Sequence, residues 1–382
     1  MVRTTPDRRR WIPGAATMVA AVLATAGCVA ARTEPAASGP EVLHSTLIGW
    51  RTKADIPAVV LGVAHPGGSW QGADGTLERG GSAQVTADAP FRIASITKVF
   101  VAVVALQLVE EGHLGLDDPV SSHLNGYTLQ PVTIRQLLNH TSGIPDYTLA
   151  TGFNKELLEH RDRRWTAAQV LALVQGKEPQ FPAGTGYAYS NTDYILLGEV
   201  INSVTGTSWA HQVRRRILDP LQLRGTYVAG SEPPGKPVVP GYFDADNDGH
   251  VENIETGRPW TALETSEGPA GAIVSAVPDL LRFGDALFRG SLLEDDTLQQ
   301  MVADGHFHPR FTNHGLGVEI LRPDYRTAIW GHGGFVPGFK SALWYVPSRD
   351  AVIVVLTNDT RANPSDLAEL VMRTLPAHAD PP

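Results

Sequence analysis

Residues Phe91–Phe100 read FRIASITKVF, and the run continues through Val101, Ala102, Val103, Val104, Ala105 and Leu106. A segment apolar all round predicts a core helix buried on every face. Lys98 sits inside it. A buried ammonium is expensive unless it is paired or hydrogen-bonded, so the rest of the chain must bring partners to it. Ser95 lies three residues earlier, on the same helical face. At the helix start, backbone N–H groups and the positive dipole end would favour negative charge developing on its hydroxyl. A desolvated Lys98 would be pushed toward the behaviour of a base. Serine is a poor nucleophile until a neighbour takes its proton, so the pair predicts an activated nucleophile. The plain alternative is a lysine that snorkels to the surface.

The surrounding chain is that of a globular protein. It has 382 residues, 42% hydrophobic and 19% charged. A formal charge of −9, with no Lys/Arg-rich stripe, argues against nucleic acid as a partner. The N-terminal 28 residues predict a secretory signal: Arg8, Arg9 and Arg10, then an apolar stretch from about Ala15 to Ala26. That stretch is short for a membrane span, and DRRRWI is loosely like a twin-arginine signal. Cys28 is the only cysteine, so there is no disulfide framework. It stands in LATAGC, a phrase like a lipoprotein cleavage box with Thr25 where a large aliphatic residue is usual. This predicts lipidation of Cys28 and an extracytoplasmic, membrane-tethered protein; the alternative is ordinary cleavage nearby. Residues 29–42 read as a flexible linker and residues 43–376 as one domain.

Within that domain, alternating segments such as Ala58–His65 predict strands. TIRQLLNH, TAAQVLALVQ, TDYILLGEVINSV and SWAHQVRRRIL predict helices between Gly/Pro turns. Ser275 is the expected N-cap of AVPDLLRFGDALF. KSALWYVP and DAVIVVLTN predict strands joined by a turn at Pro347–Asp350, and a last helix is expected near Ser365–Arg373. Strands, then helices, then strands and a helix imply an α/β (α+β) fold. Its antiparallel sheet would be formed by both chain ends, with a helical subdomain inserted.

Two further phrases bear on Lys98: Tyr189-Ser190-Asn191 just before a helix, and His332-Gly333-Gly334 between strands. Ser95–Lys98, Tyr189–Asn191 and His332–Gly334, in that order, resemble the three motifs of the serine β-lactamase-like and penicillin-binding protein family. The branch resembled holds the class C β-lactamases and D-Ala-D-Ala carboxypeptidases. LLNHTSGIPDY (Leu137–Tyr147) and FPAGTGYAYSN are also similar to that family, and the likeness covers essentially the whole mature chain. The resemblance implies a β-lactamase/transpeptidase-like fold and a serine hydrolase working through an acyl-enzyme. It needs no cofactor for catalysis. Ser95 would attack, Lys98 and Tyr189 would share the base work, and Asn191 would bond Lys98 and the substrate amide. His332 would supply a donor and partial positive charge near Tyr189. Gly333 and Gly334 would let substrate approach the strand edge, and the N–H groups of Ser95 and Phe335 would form the oxyanion hole.

The leading expectation is a D-Ala-D-Ala carboxypeptidase-like peptidase or penicillin-binding protein of the cell envelope. The substrate would be a D-Ala-terminated peptide, a β-lactam or an ester. A class C-type β-lactamase, a family esterase or D-aminopeptidase, and a non-catalytic penicillin-binding-like envelope protein are the alternatives. Gly333 and Phe335 stand where carboxypeptidase members tend to carry hydroxyls that grip the terminal carboxylate. The HGG phrase is also like the oxyanion loop of α/β-hydrolase esterases, but no G-x-S-x-G elbow follows it.

Other histidines read as structural: His140 as a hydrogen-bonder, His306 and His308 as loop residues. DADNDGHVENIE, Asp244–Glu255, fits a calcium-loop pattern, with Asp244, Asp246, Asp248 and Glu255 giving carboxylates and His250 its carbonyl. The prolines and glycines around it deny flanking helices. A structural Ca2+ and an acidic hairpin tip are the two readings.

Overall fold

The description rests on a computed structural model and covers residues 39–126, 129–245, 248–254, 260–303, 306–308, 312–321 and 328–377. Cys28, Asp246 and Glu255, and with them the signal and lipidation expectations, lie outside the described residues. The helices are α1 (Pro40–Ala54), α2 (Ile96–Glu110), α3 (Ile134–Leu138), α4 (Phe153–Glu159), α5 (Ala167–Ala172), α6 (Asn191–Thr205), α7 (Trp209–Val213), α8 (Thr261–Glu267), α9 (Val277–Phe288), α10 (Asp295–Ala303) and α11 (Pro364–Thr374). The strands are β1 (Ala58–His65), β2 (Gly68–Gly75), β3 (Phe91–Arg92), β4 (Tyr227–Val228), β5 (Tyr242–Phe243), β6 (Glu252–Asn253), β7 (Ile273–Ser275), β8 (His306–His308), β9 (Thr312–His314), β10 (Glu319–Leu321), β11 (Ile329–Val336), β12 (Phe339–Val346) and β13 (Ala351–Thr357).

The main sheet runs β2-β1-β13-β12-β11-β10-β9-β8, antiparallel throughout. β1 pairs with β13 in the register Val60↔Leu356, so both chain ends build this sheet, as expected. β1 and β13 are buried on both faces, which explains their near-continuous runs of Val, Ile and Leu. On one face Leu43 and Leu47 of α1 and Leu367 and Val371 of α11 cover Leu61, Val63, Trp344 and Ile353. On the other face α2 and α9 carry the larger core into the helical insert, where Phe100 stacks on Phe283 with ring centroids 3.6 Å apart.

Helix α2 answers the opening question: from Ile96 to Leu106 every residue is buried, Lys98 included. Three local expectations need correction. Ser275 does not cap α9; it belongs to β7, its hydroxyl meets Thr226 Oγ1 at 2.8 Å, and the helix begins after Ala276 with Pro278 in its first turn. The linker does not extend to residue 42, because α1 starts at Pro40 and buries Leu43. His306 and His308 lie on strand β8 rather than in a loop. The described part of the Asp244–Glu255 segment fits the acidic-hairpin reading: β5 pairs with β6, and Asp244 and Asp248 accept from nearby backbone N–H groups. Asp244 accepts from the backbone N–H of Asp248 and Gly249 at 3.1 and 3.0 Å, and Asp248 accepts from that of His250 at 2.7 Å. Among the described residues no group of three or more His, Cys, Asp or Glu could hold a metal ion. None of the described helices is long and apolar enough to cross a membrane.

Candidate active site

Ser95 caps α2 at its N-terminus, preceded by Ala94 with φ +50°. A left-handed alanine costs about 1 kcal/mol or more. The turn is held by Ser341 Oγ donating to Ile93 O at 2.8 Å. From the first turn of the helix Lys98 Nζ reaches Ser95 Oγ at 3.1 Å, Asn191 Oδ1 at 2.8 Å and Ala270 O at 2.8 Å. Asn191 opens α6 and is oriented by donating from Nδ2 to Asp146 Oδ2 at 2.9 Å. Tyr189, two residues earlier, donates its hydroxyl to Ser95 Oγ at 2.8 Å. The fold therefore brings Lys98 and Tyr189 onto the Ser95 oxygen, with Asn191 holding Lys98 from behind.

Burial lowers Lys98 to about 8, against the opposing pull of Glu267, Asp146, Glu319 and Asp193. Tyr189 goes the other way: burial raises its phenol well above the ordinary value, and the bond to Ser95 only partly offsets this. His332 supplies no positive charge, contrary to expectation. It is buried, and desolvation, His314 and Lys98 hold it well below the usual imidazole range, so it is neutral. Its Nδ1 meets Gly333 O, which can only accept, so Nδ1 carries the proton and Nε2 is left without a partner among the described residues. Of Lys98, Tyr189 and His332, Lys98 is thus the one whose proton affinity lies near neutrality.

Strand β11 brings His332, Gly333, Gly334 and Phe335 to the other wall. Only Gly334 is there by necessity: a Cβ on it would stand 2.2 Å from Ser341 Oγ and 2.5 Å from Ile93 O. A Cβ on Gly333 would meet nothing closer than 3.9 Å, so within the protein that position has room for a side chain. The Gly333 N–H bonds the Glu319 carboxylate, and alternation along the strand turns the Phe335 N–H toward the same edge. β10 pairs with β11 only over Ile329–Gly331, so at Phe335 that edge has no strand partner from β10. The Ser95 N–H heads α2, where N–H groups have no partner inside the helix.

Ser95, Tyr189, Asn191, His332, Gly333, Gly334 and Phe335 line one cavity of about 1060 Å³. One part of its wall is apolar: Leu149, Phe153, Leu157, Leu158, Phe243 and Phe335. Phe243 brings the acidic hairpin to the rim and meets the Phe335 ring edge-on at 6.4 Å. Two carboxyls also line it, Glu267 and Glu319, each raised by burial to about 7. Behind Tyr189 lies a layer the motifs did not reveal. His140 is 4.4 Å from the Tyr189 ring, His314 is 4.7 Å from His140, and both imidazoles are buried and held below the usual range. Asp193 reaches His140 Nδ1 at 2.9 Å and Ser142 Oγ at 2.5 Å, which makes His140 the structural hydrogen-bonder expected. Asp146 was quoted within LLNHTSGIPDY, but nothing local marks it as the partner of Asn191; Glu319 and His314 carried no sequence signal at all.

Residues 31–373 match the Beta-lactamase family. The chain is 29% identical to Penicillin-binding protein 4 of Amycolatopsis lactamdurans over 327 residues, 81% of this chain and 82% of that one. Several other curated relatives are longer, and the chain spans 52–60% of their length. Among solved structures it is similar to a D-stereospecific amidohydrolase from Streptomyces sp., with TM-score 0.77 and 32% identity over 88% of this chain and 98% of that one. It is also similar to the D-amino acid amidase of Ochrobactrum anthropi SV3 complexed with L-phenylalanine amide, with TM-score 0.76 and 26% identity over 87% of this chain and 98% of that one.

Proposed function

The chain belongs to the β-lactamase family, a serine hydrolase of β-lactamase and penicillin-binding protein type, and from that premise we propose that it cleaves amide or ester bonds of D-aminoacyl compounds through an acyl-enzyme on Ser95. The observation that carries this reading is the hydrogen-bonding of Lys98. A neutral amine has two N–H groups, and Asn191 Oδ1 and Ala270 O accept both. Its lone pair is left facing Ser95 Oγ, and Tyr189 O–H donates to that same oxygen.

The steps follow from those contacts. Ser95 Oγ bonds to the substrate carbonyl carbon as its proton passes to Lys98 Nζ. The oxyanion takes the N–H groups of Ser95 and Phe335. The ammonium then has three acceptors, Ser95 Oγ, Asn191 Oδ1 and Ala270 O. Tyr189 gives its proton to the leaving nitrogen or oxygen as that bond breaks, and is reprotonated at the expense of Lys98. Water then attacks the ester, loses its proton to the same base, and restores Ser95.

The apolar wall suits an aromatic or aliphatic acyl side chain. The D-stereospecific amidohydrolase named above supports a D-aminoacyl substrate, and the absence of hydroxyls at Gly333 and Phe335 speaks against a grip on a terminal carboxylate. The test is ammonia release from D- and L-phenylalaninamide by wild type and Ser95→Ala. The reading predicts turnover of the D-isomer that Ser95→Ala abolishes. Turnover surviving in Ser95→Ala, or none on any aminoacyl amide or ester, contradicts it. Similarity to Penicillin-binding protein 4 over most of both chains favours a second reading, the carboxypeptidase; release of D-alanine from a D-Ala-D-Ala peptide faster than ammonia from the amide would select it. The Arg8–Arg10 head, the apolar stretch and Cys28 support action outside the cytoplasm on a lipid tether. A Cys28→Ala protein that stays membrane-bound would contradict the tether.

A further inference from the structure

Whichever atom leaves must be protonated as its bond breaks, and the proton donor in this cluster is the Tyr189 hydroxyl. The leaving group therefore lies on the Tyr189 side of Ser95, and the acyl part extends the other way, toward Phe335, Phe243 and Leu149. What stands on the Tyr189 side is His332, its ring 6.1 Å from that of Tyr189, and beyond it Glu319, whose Oε1 is 3.7 Å from His332 Nδ1. The space in front of bare Gly333 faces the same carboxylate, since a Cβ built there would stand 3.9 Å from Glu319 Oε2.

The carboxylate is fixed and accessible. β10 pairs Glu319 with Gly331, the Gly333 N–H bonds it, and its side chain is 29% exposed, opening on the cavity. The cation whose charge acts on it is Lys98, which lies beneath Ser95 and is a neutral amine when it activates the serine. His332 and His314 are neutral. Lys340 lies on β12 opposite Phe335, where Asp359 and Asp366 are the carboxylates that act on it.

We propose that Glu319 is a specificity-determining residue that rejects leaving groups bearing a carboxylate, so that the bond cleaved carries an uncharged or cationic leaving group. The proposal rests on the acyl-enzyme reading above. It predicts ammonia, amines and alcohols as leaving groups, and a penalty for free C-terminal amino acids and for phenols that bear a carboxylate. A like charge within about 4–6 Å in a partly buried site weakens binding and reaction by about tenfold or more.

The test uses two D-phenylalanine esters that differ only in the leaving phenol, one with a meta carboxylate and one with a meta carboxamide. Assays at pH 8.5 keep Glu319, raised by burial to about 7, ionised. Wild type is expected to show kcat/KM at least about tenfold higher for the carboxamide ester. Glu319→Gln, which keeps an acceptor for the Gly333 N–H, is expected to bring the two within about twofold, and Glu319→Asp to retain the bias. A merely structural role would lower both esters together; an unchanged ratio in Glu319→Gln overturns the proposal. Should that variant not fold, wild type hydrolysing both esters equally overturns it alone. Failure of the underlying reading is distinct: hydrolysis that persists in Ser95→Ala, or none of either ester.

Discussion

Lys98 Nζ stands 3.1 Å from Ser95 Oγ, and its two remaining contacts, with Asn191 Oδ1 and Ala270 O at 2.8 Å each, are both acceptors. This lysine can hold either protonation state without leaving a polar atom stranded. As an amine it offers Ser95 a lone pair; as an ammonium it donates three times. A buried lysine normally tolerates one state only.

The first prediction is a pH profile. Burial lowers Lys98 to about 8, and only the amine accepts the serine proton. Acylation, read as kcat/KM on an uncharged substrate, should be weak at pH 6, rise through about 8 and level above it. The sign follows because protonation removes the lone pair. Lys98→Arg stays cationic at all working pH values and should lose about 10²–10⁴-fold at every pH. A flat profile from pH 6 to pH 9 would argue for another base.

Tyr189→Phe removes the hydroxyl at 2.8 Å from Ser95 Oγ and leaves the ring against His140 and His332. It should lower kcat/KM by about 10²-fold or more. The melting temperature should move little, because the ring still fills its place. Loss of activity only in proportion to loss of folded protein would remove Tyr189 from the proton path.

The two glycines of β11 should part company. Gly334→Ala drives a methyl into Ser341 Oγ and Ile93 O and displaces the turn that carries Ser95. The expected cost is about 1–3 kcal/mol in urea unfolding, with most activity lost. Gly333→Ala has room and should keep wild-type stability within about 0.5 kcal/mol. Equal effects at the two positions would contradict the geometry.

Asp193 is buried between His140 and Ser142. Asp193→Ala strands two buried polar groups and should destabilise by about 2–5 kcal/mol, whereas Asp193→Asn should lose less. Thermal unfolding of the two variants side by side measures the difference. Equal melting temperatures would mean that this layer bears no load behind Tyr189.

The sheet and the nucleophile were legible because their signals are local. β1, β12 and β13 are continuous apolar runs, and Ser95–Lys98 is one helical turn. Tyr189 and Asn191 were legible only through a resemblance, since the fold closes a gap of more than ninety residues to reach Lys98. Glu319 was not legible: it lies on a three-residue strand, and only pairing with β11 brings it to Gly333. Ser275 misled because a serine before a helical pattern looks like a cap, whereas here its hydroxyl is used by Thr226 across a sheet. The charge on His332 was misjudged because burial and the nearness of His314 and Lys98 cannot be read from a strand.

The central claim is a covalent intermediate on Ser95. Intact-protein mass after rapid acid quench of wild type with D-phenylalanine 4-nitrophenyl ester, beside Ser95→Ala, tests it most directly. A mass increase equal to the aminoacyl group, mapped to the peptide holding Ser95 and absent from Ser95→Ala, is the result predicted. An adduct on another residue, or one that Ser95→Ala forms equally, would contradict it.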